Sequence, residues 1–303
     1  MPFDTVETTR AALESAGYIC THETATVVFL AAATQKPILV EGPAGVGKTE
    51  LAKAVSRCLS RVMIRLQCYE GLDEAKALYE WEYAKQLLYT QIVKEKIGDV
   101  VRGAATLTEA VDLIADQDDA FFSERFMLPR PLLKAIRAPA PVVLLVDEVD
   151  KSDPEFEAFL LEVLSDYQVT IPELGTITAA HIPFVVLTSN SYRDMSDALK
   201  RRCLHLYIDY PDTDTELAIV RKKVPAIADA LARRMVAVMA RIRTLDLKKA
   251  PSISETLDWA HALIALQVET LSPELVTDTL NVICKHREDA RQVREQIKNV
   301  ANF

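Results

Sequence analysis

The strongest chemical signal lies in one loop. Gly42-Pro43-Ala44-Gly45-Val46-Gly47-Lys48-Thr49 matches G-x-x-x-x-G-K-[ST] in full. Glycines at these positions let backbone N–H groups converge on phosphate oxygens. A lysine there reaches the β- and γ-phosphates, and the threonine hydroxyl joins Mg²⁺. A helix opening at Lys48 turns its positive end toward the same anion. The ligand implied is ATP with Mg²⁺, held along Gly42–Glu50, with Thr49 at the metal. A glycine-rich turn without a ligand is the plainer alternative. An apolar strand before the loop and a helical pattern after it argue against that.

Further along, Val142–Val146 runs into Asp147-Glu148. An apolar strand ending in two carboxylates suits a site where Asp147 holds Mg²⁺, directly or through water, and Glu148 orients and deprotonates the attacking water. Asp147, Glu148 and Asp150 would otherwise be caps of a solvated loop. The stretch Leu187-Thr188-Ser189-Asn190 ends another strand and sets an amide beside those carboxylates. Asn190 either positions the water, touches the γ-phosphate, or merely ends the strand in a turn. Arg201-Arg202-Cys203 precedes a further strand. An arginine there lies far from its own phosphate loop, but in a ring it reaches the neighbour's site and stabilises transition-state charge. A solvated basic pair is the alternative.

These residues need elements to hold them. Five short β-branched runs stand out: Pro37–Glu41, Val62–Cys68, Pro141–Asp147, Pro183–Thr188 and Leu204–Asp209. Most are continuously apolar, as strands buried on both faces of a parallel sheet are. Helical patterns lie between them at Lys48–Leu59 and Asp153–Leu164, the second with Ser152 or Asp153 as N-cap and Pro154 at the first helical position. The fold class expected is α/β with right-handed crossovers. Two segments interrupt the alternation. Leu72–Lys96 reads as helical and rich in Tyr, Trp and Leu, and Tyr167–His181 reads as a hairpin turning near residues 172–175. After Tyr210-Pro211-Asp212 no strand pattern recurs, and Pro225, Pro251 and Pro273 break one helical pattern from the next. The division expected is an α/β domain over 1–212 and an all-α domain over 213–303.

The bulk composition bounds the rest. The chain has 303 residues, half of them hydrophobic, and a formal net charge of −9. An acidic chain has no general electrostatic attraction to nucleic acid, so no nucleic-acid partner is expected. Five dispersed cysteines suggest reduced thiols. The N-terminal stretch lacks a basic, apolar leader pattern, and no apolar run approaches the roughly 20 residues of a membrane helix. A cytoplasmic protein without an integral membrane segment is expected.

Taken in order, the phosphate loop (Walker A), Asp147-Glu148 (Walker B), Asn190 (sensor 1) and the helical C-terminal part resemble the P-loop NTPases of the AAA+ class. In such a core a five-stranded parallel sheet carries the site and the C-terminal helices form a lid. The helical insertion after the second strand and the β-hairpin before the Asn190 strand resemble the helix-2-insert group. The stretch from Val143 through Pro172 resembles the MoxR family. Glu41–Leu51, Tyr69–Trp81 and Pro251–Ala260 are similar to its CoxD-type members. The resemblance implies a homo-oligomer in the form of a hexameric ring. It also implies a von Willebrand A-domain partner carrying a metal-ion-dependent adhesion site. The client implied is a metalloenzyme, the molybdenum–copper centre of a carbon monoxide dehydrogenase-like hydroxylase. Arg202 matches the arginine supplied to the neighbour's site best, with Arg201 the close alternative. Rival readings are a CbbQ/NorQ-like activase of another enzyme and a DNA-acting AAA+ motor.

One departure stands out. Many MoxR members carry a sensor 2 arginine in the lid, whereas this region reads Pro251-Ser252-Ile253-Ser254-Glu255-Thr256, with Ser254 about where the arginine is expected. Tyr79, Trp81, Tyr83 and Tyr89 crowd the insertion. Aromatic rows at helical spacing are more often internal packing than a contact surface.

Overall fold

The computed structural model describes residues 2–92, 106, 126–172 and 174–300. Five strands form one parallel sheet: β1 (Ile38–Glu41), β2 (Met63–Gln67), β5 (Val143–Asp147), β8 (Phe184–Ser189) and β9 (Leu204–Tyr207). Their order is β2-β5-β8-β1-β9. β5 and β8 are buried along their whole length, which is why both read as unbroken apolar runs. β1 lies between β8 and β9, with Val40 opposite Thr188 and Leu206. β2 is an edge strand in the register Gln67 opposite Asp147. The C-terminal ends of β1, β2, β5 and β8 therefore gather at one edge of the sheet, where open α/β sheets bind ligands.

Helices cover both faces. On one, α1 (Val6–Ser15), α2 (His22–Thr34) and α3 (Lys48–Leu59) bury Leu13, Val28, Leu51 and Val55 against Ile38, Val40, Val143 and Leu145. The first 36 residues suggested no helix from sequence. α2 explains the miss: it is apolar almost all round, so no one-sided stripe marks it.

The segment Leu72–Lys96 differs from the single helix expected. It holds α4 (Glu74–Leu78), the short strand β3 (Tyr79–Trp81) and α5 (Tyr83–Ile92). Residues 93–96 lie outside the described residues. β3 pairs antiparallel with β4 (Met127–Pro129), with Tyr79 opposite Pro129 and Trp81 opposite Met127. The ribbon is closed by Glu82 N–H to Phe126 O and Arg130 N–H to Leu78 O, both 2.7 Å. Tyr-Glu-Trp alternates with period two and favours a strand once a partner is present. Tyr79 and Trp81 pack edge to face, 5.7 Å between centroids, against the core on the second face. Tyr83 and Tyr89 are exposed, and Tyr89 meets Phe126 edge to face.

After α6 (Pro131–Ile136) and β5 comes α7 (Pro154–Asp166), which starts at Asp153 with Pro154 at its first position. The hairpin follows as β6 (Gln168–Ile171) and β7 (Gly175–Thr178), with Val169 and Ile171 buried and Thr170 and Thr176 facing out, their hydroxyls 3.1 Å apart. α8 (Asp197–Arg202) leads into β9.

Beyond Asp212 the elements are α9 (Thr213–Lys223), α10 (Asp229–Arg243), α11 (Ile253–Ala265) and four shorter helices, α12 (Pro273–Asp278), α13 (Leu280–Ile283), α14 (Arg287–Glu295) and α15 (Ile297–Val300). They surround a core of their own built on Met235, Val236, Met239, Trp259 and Leu263. The Trp259 indole N–H is satisfied by Thr279 Oγ1 at 2.8 Å. Among the described residues no helix is long and apolar enough to cross a membrane.

Candidate nucleotide site

The phosphate loop leaves β1 at Gly42 and enters α3 at Lys48. Two glycines are fixed by close approach. A Cβ on Gly42 would lie 2.0 Å from Ile208 O, and one on Gly45 would lie 2.0 Å from Ser252 Oγ, each at positive φ. Lys48 is buried, and its ammonium donates to Gly42 O (2.7 Å), Pro43 O (2.6 Å) and Asn190 Oδ1 (2.8 Å). Burial pushes the Lys48 ammonium below its ordinary pKa, while Asp150, Asp147 and Glu148 act against that shift.

The carboxylates at the end of β5 converge on the same point. Asp147 is buried. Its Oδ1 accepts from Thr188 Oγ1 at 2.5 Å and Thr49 Oγ1 at 3.0 Å, and its Oδ2 accepts from Arg65 at 2.5 Å. A threonine hydroxyl beside a carboxylate is a hard-oxygen donor pair of the kind Mg²⁺ takes, so the residues fit that ion. Glu148 adopts φ 57°, ψ 49°. Its N–H donates to Thr188 Oγ1 at 2.9 Å, and its carboxylate accepts from Gln67 (2.8 Å), Lys151 (2.7 Å) and Asn190 (3.3 Å). Asn190 thus bridges Lys48 to Glu148. Its own backbone N–H donates to Asp150 Oδ2 at 3.0 Å, while the other oxygen of Asp150 is buried with no hydrogen-bond partner among the described residues.

These residues line a cleft of about 310 Å³ together with Ala44, Gly45, Gly47, Glu50, Lys53, Arg65 and Ser254. A second cavity of about 520 Å³ shares Gly45 and Gly47 as a wall. It is bounded by Tyr18, Ile19 and Cys20, by Val46, by Tyr207–Asp212, and by Ile219, Ile253 and Leu257. Glu50 borders both cavities. Burial disfavours its charge, but Lys223 (3.0 Å) and Arg57 (2.9 Å) outweigh burial and hold its carboxyl below the usual range.

Sequence reasoning named Lys48, Thr49, Asp147, Glu148 and Asn190, and the fold brings them together. It missed Arg65 and Gln67 on β2 and the walls of the second cavity. Ser254, noted only as the place of an absent arginine, lines both cavities. Arg201 and Arg202 end α8, and neither lines the cleft. Arg202 donates to Leu161 O at 2.8 Å, and Arg201 is exposed.

Comparison with known proteins agrees with this geometry. Residues 37–203, from the entry of β1 to the end of α8, match the family described as AAA domain (dynein-related subfamily). Gas vesicle ATPase GvpN1 of Halobacterium salinarum is 26% identical over 274 residues, covering 87% of this chain and 73% of that protein. An uncharacterized protein of Staphylococcus haemolyticus is 25% identical over 276 residues, covering 87% of this chain and 89% of that one. A point variant of Thermotoga maritima RuvB superposes with a TM-score of 0.51 at 15% identity, over 99% of this chain and 80% of its own, a likeness of fold. The phosphate loop, the carboxylate pair and the sheet order that positions them all fall within or beside the matched span, so the chain belongs to the dynein-related subfamily of AAA domains and is an AAA+ ATPase.

Proposed function

We propose that the chain is a MoxR-type remodelling ATPase whose site is completed by a second copy of itself in a hexameric ring. One observation carries the chemical part: Lys48, Asn190 and Glu148 form one hydrogen-bonded row, with Asp147 and Thr49 beside it. In this reading Gly42–Glu50 hold the triphosphate, and Lys48 stabilises charge on the γ-phosphate. Thr49 and Asp147 would hold Mg²⁺, which would supply neutralisation of the phosphate charge. Glu148 takes the proton of the attacking water, and Asn190 orders that water. The larger, more apolar cavity beside Tyr18 and Tyr210 suits the base and ribose. Residues 1–212 act as the nucleotide-binding domain and 213–303 as the lid. That neither Arg201 nor Arg202 lines its own cleft supports a role in trans, with Arg202 the first choice and Arg201 the second.

The client is proposed from the resemblance of Val143–Pro172 and Pro251–Ala260 to MoxR and CoxD-type chains. It is a metalloenzyme of the molybdenum hydroxylase kind, reached through a von Willebrand A-domain protein in the cytoplasm. The 26% identity to a gas vesicle ATPase favours a second reading, in which the client is a gas-vesicle assembly protein. Co-expression with each candidate set distinguishes them. The first reading expects an ATP-dependent complex with the A-domain protein and a gain of hydroxylase activity. A complex only with gas-vesicle proteins supports the second, and no complex in any nucleotide state defeats both.

A further inference from the structure

The two oxygens of Asp147 keep different company. Oδ1 accepts from Thr188 and Thr49, whereas Oδ2 is held chiefly by the guanidinium of Arg65 at 2.5 Å, with Thr49 at a longer 3.3 Å. The same Arg65 nitrogen donates to Gln67 Oε1 at 2.5 Å, and the Gln67 amide donates to Glu148 Oε2 at 2.8 Å. Both carboxylates at the end of β5 are therefore tied to two side chains of one edge strand. Arg65 and Gln67 are two residues apart, so they share a face of β2, and the register sets Gln67 opposite Asp147. Arg65 is about half exposed and lines the cleft, so it has room to leave.

An arginine stays charged at any physiological pH and offers a rigid fork of donors. Mg²⁺ needs oxygen ligands at about 2.0–2.1 Å. A guanidinium and a divalent cation on one carboxylate repel each other, so each weakens the other's hold on Asp147. We propose that Arg65 is a resident counter-charge that competes with Mg²⁺ for Asp147. With a metal on the carboxylate, Arg65 leaves, Gln67 loses its donor, and one of the three side chains that hold Glu148, beside Lys151 and Asn190, is loosened. Arg65 is then a positioning residue, one that couples how tightly Glu148 is held to arrival of the metal. The inference rests on the reading of Asp147 as the magnesium ligand.

The test is binding of a fluorescent, non-hydrolysable ATP analogue to the full chain, once in EDTA and once in saturating Mg²⁺. The ratio of the two affinities is the quantity read. Arg65→Ala is expected to raise that ratio about tenfold over wild type, because the metal no longer displaces a charged hydrogen bond. Arg65→Lys, which keeps the charge with fewer donors, is expected to fall between, and it carries the test if Arg65→Ala does not fold. Gln67→Ala should leave the ratio at its wild-type value while altering turnover. An unchanged ratio in both Arg65 variants overturns the proposal. So does an equal loss of affinity with and without metal, which would make Arg65 a direct phosphate ligand. A wild-type affinity indifferent to Mg²⁺ would instead defeat the assignment of Asp147 to the metal.

Discussion

Glu148 occupies the left-handed region of the backbone, where a residue with a side chain costs about 1–3 kcal/mol unless its surroundings hold it there. The holding group is Thr188, whose hydroxyl accepts from Glu148 N–H and donates to Asp147. A single threonine thus ties the Asp147 carboxylate to the Glu148 backbone. If Glu148 is the base, Glu148→Gln should bind ATP as wild type does and lose turnover by about 10²–10⁴-fold. Titration with labelled ATP and a phosphate-release assay measure the two halves, and wild-type turnover would remove Glu148 from that role. Lys48, Thr49, Asp147 and Glu148 were legible because each belongs to a local string whose residue types have one good explanation. Arg65 and Gln67 were not. They reach the site only through the pairing of β2 with β5, a relation 82 residues apart for Arg65 that no local motif marks. The alternation in Met63-Ile64-Arg65-Leu66-Gln67 shows that two polar groups share a face, but not what that face meets.

At the scale of elements, the contact that matters is between the phosphate loop and α11. The helix begins at Ser252, closed by a capping box in which Glu255 accepts from both the backbone and the hydroxyl of Ser252. Its start is anchored from behind. Arg243 of α10 donates to Pro251 O at 2.7 Å, pairs with the buried Glu216 of α9, and lies over the Tyr210 ring at 5.6 Å. The start of α11 is therefore braced to present Ser252 and Ser254 to the loop. Gly45→Ala places a methyl group on Ser252 Oγ and strains a backbone at φ +78°. It should cost about 1–3 kcal/mol of stability and loosen nucleotide binding. Thermal unfolding with and without nucleotide checks this, and an unaltered nucleotide-induced shift would show that the contact with α11 is dispensable. The elements that sequence located well are the ones with a period to read: the buried strands, α3, α7 and the hairpin. The insertion was misread because three residues of strand next to two short helices carry no period of their own, and their pairing partner lies some 48 residues further on.

For the whole molecule, the proposed arginine finger in trans predicts activity that belongs to the assembly. Subunits carrying Lys48→Ala should bind no nucleotide, and subunits carrying Arg201→Ala with Arg202→Ala should bind it but hydrolyse it poorly. If the proposal holds, the first kind lends its arginines to the second when the two are mixed in one assembly, and the mixture should exceed the sum of its parts in ATPase rate. Activity equal to that sum, or full activity of the arginine double variant alone, would place the finger within the subunit or on another residue. The antiparallel ribbon of Tyr79–Trp81 with Met127–Pro129 has a consequence at this scale too. Opposed residues in such a ribbon sit about 5 Å apart, so the chain departs and returns through a single narrow doorway. Whatever length is spliced in beyond that doorway, the sheet registers the same two fixed ends. The bond from Glu82 N–H to Phe126 O is the latch of that doorway, and it ties both ends to the sheet-bearing half of the molecule.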